Sequence, residues 1–127
     1  MITAQPFFTL FLGSPNGSAR LDEHARVSAL HKISSRFESF TLVDGKGCFR
    51  NRFEDVLLVH LASSDVRAVV ELALDLRRAF FQDGVGIACA GQYIRATESQ
   101  EASAIEAELR QLLGEQMSPF PSPPDEA

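Results

Sequence analysis

The chain has no tryptophan, one tyrosine, two cysteines and three histidines in 127 residues. Cys48 and Cys89 stand far apart, in neither a C-x-x-C pair nor a metal-ligand spacing, and read as two small, semi-buried thiols in a reducing compartment. His24, His31 and His60 are scattered, and none sits beside a serine or cysteine in a nucleophile–base pattern. No spacing of His, Cys or carboxylate fits a metal, so no metal centre and no catalytic set are expected. The N-terminus, MITAQPFFTLFLGS, has no basic stretch, and its apolar run of about six residues is too short for a signal core or a membrane span. A cytoplasmic protein without a membrane span is expected. Positive charge is also short: the net charge of -5 argues against a general nucleic-acid binder.

What is present is an ordinary globular composition, 45% apolar and 23% charged, in a length that makes one domain with its own core. Ten phenylalanines favour a filled core together with an apolar contact surface.

The stretch from Phe37 to Ala62, FESFTLVDGKGCFRNRFEDVLLVHLA, reads as two strands joined by a loop, DGKGCFRNR. Val56, Leu57, Leu58, Val59 and Leu61 are apolar without alternation, as are Phe7 to Leu12. A strand with one wet face alternates, so these two are covered on both faces. Helices can cover one face; another copy of the chain, or a partner, is the economical cover for the other.

In chain order, a strand over 6–13 ends in the turn residues Gly13-Ser14-Pro15-Asn16-Gly17. A helix over 18–36 follows, with Ser18 as N-cap and a buried stripe of Val27, Leu30, Ile33 and Phe37, leaving His24 and His31 toward water. After the hairpin comes a helix over 64–81, capped by Ser63 or Ser64, with Val66, Val69, Val70, Ala73, Leu76 and Phe80 on one face and Gly84 as its left-handed terminator. A last strand over 85–94 carries Gly86, Ala88, Ala90 and Gly91, small residues that admit a close neighbour. The order β-α-β-β-α-β implies an α+β fold of ferredoxin-like type, a four-stranded antiparallel sheet with both helices on one face. Residues 1–97 form this domain. An extra helix over 98–114, introduced by a capping box at Thr97-Glu98-Ser99-Gln100 and striped by Ile105, Leu109, Leu112 and Leu113, packs on the domain or on a neighbouring subunit. Residues 115–127, rich in proline, form an unstructured tail.

Three places carry candidate chemistry. Gly45, Lys46 and Gly47, followed by Arg50 and Arg52, can present backbone N–H groups and cations to a phosphate, or can form a hairpin turn whose basic residues are simply solvated. His60 lies in an apolar strand on the side of Val56 and Leu58, as a satisfied core or interface histidine or as a polar pocket residue. Gln82, Asp83 and Gly84, together with Arg95, flank the last strand, where local chemistry shows only a helix stop and a strand-terminal arginine.

The run VDGKGCFRN, then a strand, a helix and QDGVGIACAGQYIRATE, resembles the order of PII-like signalling proteins. Asp83-Gly84 matches that family's D-G pair, and Ile94-Arg95 with Glu98 matches part of its later arginine motif; Val85 stands in place of the phosphate-binding lysine, Tyr93 in place of an arginine, and the loop from Gly47 to Phe53 is short. The N-terminal two-thirds is also similar to an uncharacterised bacterial ferredoxin-like family, through Phe11 to Gly17, Arg36 to Gly47 and Phe80 to Val85. The PII-like resemblance implies a homo-oligomeric regulator, dimer or trimer, with no resident cofactor. Gly45, Lys46, Gly47, Arg50, Arg52, Asp83, Gly84 and Arg95 would line intersubunit clefts for a small anionic effector such as an adenine nucleotide. Two other roles are open: a dimeric enzyme of monooxygenase or isomerase type with His60 in a pocket between sheet and helices, and a protein-interaction module docking a partner on its open sheet face.

Overall fold

The two runs without alternation take the middle of the sheet. In the computed structural model, which describes residues 4–14, 20–97 and 100–117, the elements are β1 (Phe7–Gly13), α1 (Glu23–Ser34), β2 (Thr41–Phe49), β3 (Arg52–Ala62), α2 (Val66–Ala79), β4 (Gly84–Cys89), β5 (Gln92–Thr97) and α3 (Ala102–Met117). The five strands form one antiparallel sheet in the order β2-β3-β1-β4-β5, with three helices: an α+β fold.

Strand pleating divides the sheet into two unlike faces. Phe8, Leu10 and Leu12 of β1, Leu57, Val59 and Leu61 of β3, and Val85 and Ile87 of β4 are buried on the first face. They share one core with Ala25, Ala29 and Ile33 of α1, with α2, and with Ile105, Leu109 and Leu113 of α3. The C-terminal helix therefore lies against α2 and β4, on the same side as the other two helices. The opposite face carries Phe7, Thr9 and Phe11 of β1, Val56, Leu58 and His60 of β3, Thr41 and Val43 of β2, and Tyr93 and Arg95 of β5. No described helix covers it, and Phe7 stays 58% exposed and Tyr93 59%.

Several local expectations are corrected. The segment DGKGC is strand, not loop: Gly45, Lys46 and Gly47 pair with Val56, Asp55 and Glu54. The turn is only Arg50-Asn51, both at positive φ (51° and 62°), the two-residue geometry whose twist matches the flanking strands. The single strand expected over 85–94 is a hairpin, β4–β5, turning at Ala90 (φ 53°) and Gly91 (φ 74°). The sheet thus has a fifth strand that the four-stranded expectation did not include. Gly84 begins β4 and does not end α2; the left-handed residue after α2 is Phe81 (φ 52°). The N-cap of α2 is Asp65, whose carboxylate accepts from Ala68 N at 3.0 Å, and the expected stripe from Val66 to Phe80 is buried.

In α1 the buried stripe is Ala25, Ala29 and Ile33, spaced by four, while Val27 and Leu30 are 40% and 45% exposed. The alanines and Ile33 join the shared core beside α2, and the larger Val27 and Leu30 face outward. Its observed N-cap is Asp22, accepting from Ala25 N at 2.8 Å; Ser18, with Pro15-Asn16-Gly17, lies outside the described residues. Gln100 Oε1 accepts from Thr97 N at 3.2 Å, while Glu98 and Ser99 lie outside the described residues. Residues 115–117 are helical and do not open a tail; residues 118–127 lie outside the described residues.

Lys46 points to the helix side of β2, because it alternates with Gly45 and Gly47. It forms an ion pair with Asp55, whose other oxygen accepts from Leu21 N at 2.9 Å; beside it Arg26 Nε meets Asp44 at 2.9 Å. The Lys46 ammonium first, and the Leu21 N–H second, hold the Asp55 carboxyl below the usual carboxylate range. This contact ties the hairpin to the chain entering α1.

Two outcomes follow from this packing. Leu109→Ala, at a fully buried position, should cost roughly 2–5 kcal/mol in urea unfolding, whereas Val27→Ala should stay within about 0.5 kcal/mol; equal effects would contradict the placement of α3 and α1. A carboxyl whose folded pKa lies below its unfolded value stabilises fully above the unfolded value and loses that contribution as pH falls through the folded one. Asp55→Asn should therefore melt lower than the parent at neutral pH, and the gap should close as pH falls below about 4, the unfolded aspartate value. A gap independent of pH would remove the ion-pair account.

Candidate functional site

Pleat alternation also sends Arg52, Glu54 and Val56 of β3 to the helix-free face, together with Gly45 and Gly47 of β2. At this end of the sheet the turn adds Arg50, whose guanidinium lies 5.3 Å above the Phe49 ring. From the other side, Tyr93 and Arg95 of β5 lie across β4. A side chain at Gly86 would strike the Tyr93 phenol, and one at Gly84 would strike the Arg95 guanidinium. Glycine at these two positions is therefore what lets long β5 side chains lie flat over the sheet. Phe11 meets the Tyr93 ring edge-on at 5.6 Å between centroids, 69° between planes.

The result is an open cleft of about 480 Å³ at the hairpin end of the sheet, walled by Arg50, Arg52, Glu54, Asp83 and Arg95, with Gly47, Gly84, Gly86, Phe11 and Tyr93 also lining it. Of the residues expected to bind a ligand, Gly47, Arg50, Arg52, Asp83, Gly84 and Arg95 are brought together here. Lys46 is not; it faces the helix side and is engaged by Asp55. Gly45 is on the cleft's face but farther from the turn, opposite Val56, and does not line the cleft.

The arginines of the cleft differ from those elsewhere. Arg26, Arg36, Arg67, Arg78 and Arg110 are each held by carboxylates. Among the described residues, Arg50, Arg52 and Arg95 take part in no ion pair. They face one cleft from opposite sides, in a chain that is acidic overall. Cys48 also lines the cleft and is exposed, whereas Cys89 is buried on the helix side, where burial pushes its thiol pKa up.

Sequence reasoning missed Glu54 and Tyr93 as cleft residues, whereas Gln82, expected beside Asp83 and Gly84, lines the cleft with them. Pleat parity from Val56 could have placed Glu54, and the glycines of β4 could have signalled the overlying Tyr93. Gln82 is held where α2 ends, its amide Nε2 donating to Phe80 O at 3.1 Å and to Ser14 O.

His60 lies on the helix-free face, beside Leu58 and Val56 as expected, but at the opposite end from the cleft. Its Nδ1 is 2.8 Å from Thr9 Oγ1, and its ring stacks on Phe7 at 5.8 Å. There it lines a second, open pocket with Phe7, Phe40, Leu42 and Leu61 and with Leu30 of α1. Among the described residues no group of three or more His, Cys, Asp or Glu could hold a metal ion, and no helix is long and apolar enough to cross a membrane.

No family model and no curated protein matches the chain. Among solved structures, the chain is similar in fold to a phage SAM lyase in its apo state, at TM-score 0.56 and 16% sequence identity, over 76% of this chain and 92% of that one.

Proposed function

We propose that the chain is a PII-like regulator of ferredoxin-like fold, extended by the β4–β5 hairpin. It binds a small anionic ligand, an adenine nucleotide in the first instance, in the cleft at the hairpin end of its sheet. The observation that carries this reading is the set of arginines, Arg50, Arg52 and Arg95, that face one cleft without an ion-pair partner. Guanidinium groups are matched to phosphate and carboxylate oxygens. The aromatic faces of Phe49 and Tyr93 offer a stacking surface beside those charges.

The working unit is a homo-oligomer. Phe7, Val43 and Tyr93 are exposed on the same helix-free face as Leu58 and Phe11, an apolar surface that a second copy covers. Covering that face turns the cleft into a seam between subunits and lowers the dielectric around its arginines, which strengthens their hold on an anion.

Isothermal titration with ATP, ADP, AMP, cyclic nucleotides and SAM tests the reading, SAM being included because a SAM lyase shares the fold. Binding of at least one nucleotide is expected, with Arg95→Gln weakening it by about tenfold or more, the value of a charge-assisted pair. No heat from any of the nucleotides up to millimolar concentration would overturn the nucleotide reading. Turnover of SAM, if observed, would replace the regulator with an enzyme.

A further inference from the structure

The cleft holds acceptors as well as cations, and their positions restrict the ligand further. Gln82 Nε2 donates to two main-chain carbonyls, Phe80 O and Ser14 O, which fixes the amide with its oxygen turned the other way. That oxygen lies above Gly13, where a Cβ would come within 2.8 Å of it and within 3.2 Å of Glu54 Oε1. Two acceptor oxygens thus flank one bare stretch of β1. Among the described residues no hydrogen bond or ion pair engages Glu54, and none engages Gln82 Oε1.

The register Phe11↔Gly86, continued two residues along β1, sets Gly13 opposite Gly84. Neighbouring strands lie about 4.8 Å apart. Arg95 covers Gly84 just as Gln82 and Glu54 cover Gly13. An uncommitted guanidinium and an uncommitted acceptor pair therefore stand side by side, one strand apart, both facing the cleft.

We infer that the cleft reads a compact zwitterion, an α-amino acid or the α-amino-acid end of a larger molecule. Its ammonium is accepted by Glu54 and Gln82 Oε1, and its carboxylate is bound by Arg95. In an α-amino acid a single carbon separates the two charged groups, which fits sites on adjacent strands. In a nucleotide the base amine and the phosphate lie at opposite ends of the molecule, too far apart to use both sites. The remaining cations, Arg50 and Arg52, lie farther along toward the hairpin turn and face whatever the α-carbon carries. This inference rests on the reading of the cleft as an anion site and adds its cationic half.

The test uses the full chain. The twenty amino acids and inorganic pyrophosphate are screened by thermal shift. The best amino acid is then titrated by calorimetry beside its desamino analogue, glutarate for glutamate or the equivalent, into the parent, Glu54→Gln and Arg95→Gln. Glu54→Gln is near-isosteric and Arg95→Gln shortens an exposed side chain, and their unliganded melting temperatures confirm folding. The parent should bind the amino acid about tenfold or more tightly than the desamino analogue. Glu54→Gln should erase that preference without weakening pyrophosphate binding, and Arg95→Gln should weaken amino acid and pyrophosphate alike. Pyrophosphate or nucleotide binding without amino-acid binding, equal affinity for the desamino analogue, or a preference that survives Glu54→Gln would overturn the zwitterion and leave the anion site standing. Should neither amino acids nor any of the anions bind, the anion site itself falls with it.

Discussion

The pleat of two central strands governs this molecule. β1 and β3 are apolar on both sides, so one set of side chains, Phe8, Leu10 and Leu12 with Leu57, Val59 and Leu61, is sealed beneath helices. The alternate set, Phe7 and Phe11 with Val56 and Leu58, is placed on a face with no described helix over it. Because side chains alternate strictly along a strand, the charged residues at the hairpin end are sorted by the same rule. Lys46 and Asp55 go to the helix side and neutralise each other; Arg52 and Glu54 go to the open side and do not. The cleft is thus a consequence of register and not of loop chemistry.

Small residues complete the cleft. Gly84 and Gly86 leave β4 bare on the open side, and Arg95 and Tyr93 from the outer strand fold across it. Gly13 does the same for Gln82 and Glu54 on β1. The functional groups therefore sit on a rigid sheet floor, each held by the strand that carries it, with the turn residues Arg50 and Asn51 at the margin. A site built on strands and one tight turn demands little reorganisation on binding.

Much of this was legible because it rests on strong local signals. The uninterrupted apolar runs located the central strands, the stripe from Val66 to Phe80 located α2, the segment DGKGCFRNR pointed to Arg50 and Arg52, and the PII-like resemblance pointed to Arg95. Other features were set by tertiary packing. Asp44-Gly45-Lys46-Gly47 has turn composition, but pairing with β3 extends the strand through it and moves the turn to Arg50-Asn51. The α1 sequence spreads its apolar residues around the helix, so periodicity favoured the larger Val27 and Leu30, while the shared core took up Ala25, Ala29 and Ile33. Ala90-Gly91 is too weak a turn signal to divide an otherwise continuous strand. The acceptor half of the cleft depends on contacts between residues as distant as Ser14 and Gln82, which no local pattern encodes.

The central claim is that the helix-free face of the sheet is an interface whose edge forms the cleft. Tyr93, the chain's single tyrosine in the absence of tryptophan, lies on that face and reports on it alone. Acrylamide quenching of its fluorescence, followed across protein concentration alongside sedimentation, tests the claim most directly. The account predicts an assembled species at working concentration in which Tyr93 is shielded, and increased quenching as dilution separates the copies. A monomer at every concentration, with Tyr93 equally quenchable throughout, would contradict it.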